Sequence, residues 1–164
     1  AMTRVHEAHP EKHMYWTEGG PDYRERGYLT NWTRWATNFA GILRNWSRCI
    51  IGWNLALDEK GRPNIGPFSC GGLITIDSQT KEVTRSGQYW AFAHYSRAIR
   101  RGARRFESQG NLERVAHAAF ANPDGSKVVV LTNAGAEKKA LLRLAGMAAE
   151  VDLPNNSVTT LTWP

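Results

Sequence analysis

Two cysteines, Cys49 and Cys70, are all this sequence contains, and they form no CxxC pair. That spacing argues against a disulfide framework or a thiolate cage and for two buried thiols. No apolar run approaches the roughly 20 residues a membrane span needs, and no leader-peptide pattern is visible. No HExxH is present. His6, His9 and His13 are suggestively spaced, but Pro10 interrupts any shared helix face, so a metal centre is not expected. GxSxG, the P-loop and GxGxxG are also missing, which argues against a serine-hydrolase elbow and against phosphate or dinucleotide cradles.

Acid is missing from one stretch. Between Arg85 and Arg105 there are six arginines and no Asp or Glu, and this segment holds the whole net charge of +6. Such a cluster could be a phosphate footprint for nucleic acid. No nucleic-acid motif accompanies it, so the expected reading is a helix C-terminus whose cations complement the macrodipole, followed by a solvated strand edge.

What is plentiful is tryptophan. Six of the seven precede residue 91, which points to a packed or ligand-stacking region in the first part. Residues 2–9 read as a helix stopped by Pro10, and "HMYWT" reads as a short buried strand leading to Glu18 and the turn-forming "GGP". Apolar residues from Leu29 to Trp46 recur at helical spacing, with Trp32, Trp35 and Trp46 assigned to the core. "CIIGWNLAL", residues 49–57, reads as one strand covered on both faces.

Helix, strand, helix, strand is the signature of a parallel sheet, with ligands expected at the C-terminal strand ends. "GGLITID" and "EVT" suggest a hairpin. Residues 87–101 suggest a helix closed by Gly102. Six short runs follow, several of them β-rich, with "NPDGS" as a hairpin turn, so the tail reads as antiparallel sheet forming a sandwich layer. The expected domains are therefore 1–101 and 102–164.

Glu18, leaving a parallel strand beside two glycines, is placed for general acid, base or nucleophilic work. Trp53 and Asn54 lie on the next strand toward the same sheet end, and Tyr15 and Trp16 adjoin. Rings beside carboxylates and amides suit a sugar, whose C–H faces stack and whose hydroxyls need directed partners.

The segments "YWTEGG", "LRNWSRCIIGWNLALDEKGRPN", "CGGLITID", "QYWAFAHYSRAIRRGARR" and "VAHAAFANPDGSKVVVLTN" resemble, in order, the C-terminal part of glycoside hydrolase family 30. These are the glucosylceramidase-like retaining β-glycosidases. The resemblance implies an α/β plus β fold: strands seven and eight of a (β/α)8 TIM barrel, then an antiparallel β-sandwich.

It further implies Glu18 as catalytic nucleophile, with Trp53, Asn54 and Trp16 as substrate-binding residues. It implies no cofactor, a β-glycoside substrate, no nucleic-acid partner and a secreted or periplasmic location. The family's acid/base lies in an Asn-Glu-Pro motif, and no Asn-Glu dipeptide occurs here. The expectation is a C-terminal fragment, inactive alone, that associates with a second chain or with itself to complete the barrel. The alternative expectation is a non-catalytic glycan-binding module, using tail aromatics such as Phe120 or Trp163.

Overall fold

The computed structural model describes residues 1–164, which divide into two compact units, Ala1–Ala93 and His94–Pro164. In the first unit the order is α1 (Met2–Ala8), β1 (Met14–Trp16), α2 (Trp32–Arg44), β2 (Ser47–Ile50), β3 (Ala56–Leu57), β4 (Ile74–Ile76) and β5 (Val83–Arg85). Helix α3 (Gly87–Ser96) contains the division.

Strands β1 and β2 pair in parallel, with Met14 opposite Ser47 and Trp16 opposite Ile50, so β1–α2–β2 is the expected βαβ unit. A second sheet, β3–β4–β5, combines a parallel pair with an antiparallel hairpin. The hairpin turn is closed by Asp77, whose carboxylate accepts from the backbone N–H of Gln79 at 2.9 Å and of Thr80 at 2.7 Å. These bonds hold the carboxyl below its ordinary range. The two sheets of this unit do not close into a barrel.

Several expected boundaries move, each for a local reason. The Leu29–Trp46 helix begins only at Trp32, because a turn precedes it: Gly27 sits at φ 81° and its carbonyl accepts from Thr30 at 2.8 Å. It stops at Arg44, where the Asn45 side chain donates to the Gly41 carbonyl at 2.7 Å and Trp46 turns left-handed at φ 73°. Trp35 and Phe39 are buried as expected, and Trp32 is half-buried. Trp46 is exposed instead, with His6 stacked on it at 4.0 Å.

The expected strand 49–57 is broken. Asn54 adopts φ 59°, a left-handed conformation through which an extended ladder cannot continue. β2 therefore ends at Ile50 and β3 restarts beside β4. This run is not covered on both faces either, since Ile51, Trp53 and Leu55 are exposed. Nor is β1 a buried strand, because Tyr15 is 55% exposed.

Helix α3 starts where Ser86 Oγ accepts the Tyr89 N–H at 3.2 Å, a side-chain cap for an orphan donor. It ends at Ser96, six residues before Gly102. Asn122 claims the following backbone: its Nδ2 donates to the Ala98 carbonyl at 3.1 Å, and its Oδ1 accepts the Arg100 N–H at 2.9 Å. The arginines accordingly do not cap the helix, whose last turn carries only His94 as a base. Arg85 instead lies over the rings of Tyr89 and Trp90, and Arg105 pairs with Glu107 at 3.2 Å.

The second unit contains β6 (Arg104–Phe106), β7 (Val115–Ala121), β8 (Lys127–Asn133), β9 (Lys138–Leu144), β10 (Met147–Leu153) and β11 (Ser157–Trp163). The strands form a four-stranded antiparallel sheet, β11–β8–β7–β6, and a β9–β10 hairpin. The core comes from both sheets: Ala119, Val129 and Leu131 from one, Ala140 and Leu153 from the other. In the "NPDGS" turn the Asn122 N–H donates to the Ser126 carbonyl at 2.8 Å, with Gly125 at φ 92° as only glycine does easily.

His94 is bonded to the edge strand β11. Thr160 Oγ1 donates to the His94 carbonyl at 3.1 Å, so this hydroxyl accepts from His94 Nδ1–H at 2.9 Å. Burial holds the imidazole below its ordinary 6.5 and favours the neutral ring. The depressed pKa makes this contribution to stability full above pH 6.5, and it is lost as pH falls through the folded value. Thermal midpoints measured against pH should therefore drop below 6.5, and His94→Gln should flatten that part of the profile.

Candidate functional site

The exits of β1 and β2 meet through a short series of backbone bonds. The Ile51 N–H donates to the Trp16 carbonyl at 2.9 Å, and the Trp53 N–H donates to the Gly19 carbonyl at 2.9 Å. Ser47 supports the same junction from below: its Oγ accepts the Trp16 N–H at 3.1 Å and donates to the Cys49 carbonyl at 2.8 Å. Parallel pairing thus extends beyond the regular strands and carries Glu18 to the side of residues 51–53.

Both glycines after Glu18 are required by close approach. A Cβ on Gly19 would stand 1.9 Å from Cη2 of the Trp16 indole, which lies over that residue. A Cβ on Gly20 would stand 2.9 Å from the Trp53 carbonyl oxygen and 3.2 Å from Trp53 Cβ. Glu18 itself is exposed. The turn that follows is fixed to the β3–β4 connection by Tyr23 N–H to the Ser69 carbonyl at 3.0 Å, and by Gly71 N–H to the Pro21 carbonyl at 2.6 Å. Asp22 is held below the ordinary carboxylate range, chiefly by the Ser69 hydroxyl.

Of the four residues singled out from the sequence, Glu18 and Trp53 stand on segments that touch through the Gly19 and Gly20 backbone. The Trp53 side chain is 46% exposed, which leaves its ring open to a ligand. Asn54 follows in its left-handed conformation. Its carbonyl accepts the Leu73 N–H at 3.0 Å, and its side-chain Nδ2 is buried without a partner. Trp16 has a different setting: its ring lines a cavity of about 430 Å³ with Thr37, Asn38, Gly41 and Ile42 of α2.

Gln88 was not anticipated. This α3 side chain is wholly buried, and its Nε2 donates to the same Gly19 carbonyl at 2.9 Å. A glutamine among the aromatics of "GQYWAF" was the one available signal. In the second unit, Phe120 is buried and Trp163 packs against the sandwich core, so neither tail ring offers an open platform for a glycan. No group of three or more His, Cys, Asp or Glu side chains is placed to hold a metal ion.

Comparison with known proteins gives this arrangement a context. Residues 102–161 match the model of the glycosyl hydrolase family 30 beta sandwich domain. "Putative glucosylceramidase 1" of Caenorhabditis elegans is 29% identical over 98% of this chain and 34% of its own length. The "Endo-1,6-beta-D-glucanase" of Neurospora crassa is 31% identical over 80% of this chain and 29% of its own length. Among solved structures, an endo-beta1,6-glucanase superposes with a TM-score of 0.89 at 29% identity, covering 99% of this chain and 38% of that one.

These relatives are glycoside hydrolases. Residues 102–161 carry the family 30 beta sandwich domain, and the chain spans about a third of the length of the curated relatives it matches.

The packing of Trp16 over Gly19 makes a direct prediction. Gly19→Ala should push the indole off the strand exit, seen as a shift in tryptophan emission. An emission spectrum identical to wild type would contradict the packing.

Proposed function

We propose that Glu18 is the nucleophile of a retaining β-glycoside hydrolysis. The reading is carried by one observation: the Trp53 N–H bond to the Gly19 carbonyl at 2.9 Å. That bond brings the exit holding an exposed carboxylate to the segment holding an exposed indole. A parallel strand end is where such folds present chemistry, and the named relatives are glucosylceramidases and endo-β-1,6-glucanases.

In this mechanism a Glu18 oxygen attacks the anomeric carbon while the bond to the leaving oxygen breaks. A second carboxylic acid protonates that oxygen as it departs. The resulting glycosyl ester is then cleaved by water, which gives its proton to the same second carboxylate and releases Glu18. Retention requires the two carboxyl groups about 5–5.5 Å apart. Trp53 walls the sugar with its ring face, while Asn54 orients a hydroxyl or the strand end. Trp16 remains a candidate contact at the same exit.

We assign residues 1–101 to the last two strand–helix units of a TIM barrel and 102–164 to its side sandwich. The acid/base then comes from barrel strands outside these 164 residues, on a second chain or on a longer polypeptide. The exposed Ile51 and Leu55 are surface those strands would cover. A secreted or periplasmic setting fits the reading.

The 164-residue chain alone should leave an aryl β-glucoside intact. Once joined to the remaining strands it should turn the substrate over, and Glu18→Gln should lower kcat by about 10⁴-fold, the scale on which loss of a nucleophile acts. Azide should restore turnover to Glu18→Gly, yielding the glycosyl azide of inverted configuration. Turnover by the chain alone would overturn the proposal.

A further inference from the structure

Gln88 has no exposure at all, and its amide reaches a carbonyl 69 residues away in sequence. The Nε2 donates to Gly19, an acceptor only, which fixes the orientation of the amide. Its Oε1 is then buried with no donor to meet it. A buried acceptor left unmatched is destabilising. The Gly19 carbonyl already accepts the Trp53 N–H, so it would be satisfied without Gln88. An apolar side chain of similar volume would fill this site without the orphan oxygen. Stability therefore does not explain a glutamine here.

Position does. Glu18 is followed by two glycines, which have the softest backbone torsions of any residue. A nucleophile ahead of such a pair would wander unless the next carbonyl were fixed. Two donors from different elements, the Trp53 backbone and the α3 side chain, converge on that carbonyl and remove the freedom of the Gly19–Gly20 peptide. We infer that Gln88 is a positioning residue: it clamps the Gly19 carbonyl and so holds the Glu18 carboxylate in line for attack. The inference rests on the nucleophile reading given above.

The test uses the complete enzyme with Gln88→Met, which keeps the volume and removes both the donor and the orphan acceptor. The variant should melt at or above the wild-type temperature. Its kcat on an aryl β-glycoside should fall by about 10–100-fold with KM little changed, the signature of a misplaced reacting group. Amide hydrogen exchange at Trp53 should also accelerate, since its acceptor is no longer held. A folded Gln88→Met enzyme with wild-type kcat overturns the inference, as does unchanged exchange at Trp53. A variant that simply melts lower and loses activity in proportion to its folded fraction has a structural role only, which also overturns it. The nucleophile reading fails on different evidence, namely the absence of azide rescue in Glu18→Gly.

Discussion

The Gly19 carbonyl is the point on which this chain's proposed chemistry depends. It has two lone pairs and uses both, accepting the Trp53 N–H and the Gln88 amide, each at 2.9 Å. One bond continues the parallel pairing of β1 and β2 past their regular ends. The other brings in α3. Glu18, Trp53 and the helix are thereby tied to a single peptide group. Polar bonds of this kind strengthen when shielded from water, and Gln88 is entirely shielded.

Strain is placed to the same end. Asn54 at φ 59° stops β2 from running straight into β3. The break leaves Trp53 exposed at the tip, where a continuous strand would have buried or paired it. Non-glycine residues in this conformation persist only where their surroundings demand it. Here the Asn54 carbonyl is engaged by Leu73, so the kink is built into the junction between the two sheets.

Legibility in the sequence followed the range of the interactions. The six tail strands were readable because alternation and turn residues are local signals: "NPDGS" specifies its own hairpin, and the apolar run Val128–Leu131 marks the centre of its sheet. Helix ends were less readable because distant groups set them, as when Asn122 takes up the Ala98 carbonyl and the Arg100 N–H. The break at Asn54 was hidden inside a run whose composition looks like an unbroken strand. Glu18 could be singled out because its position, its glycines and a family resemblance agreed. Gln88 could not, since its meaning lies in a partner 69 residues away.

The central claim is that Glu18 forms a covalent bond to the sugar. A 2-deoxy-2-fluoro glycoside with a good leaving group slows release of that intermediate and allows the attachment site to be read by peptide mass spectrometry. The account predicts a single adduct, on Glu18, in the complete enzyme. An adduct on another carboxylate, or steady turnover of the trapping reagent by the Glu18→Gln enzyme, would contradict it.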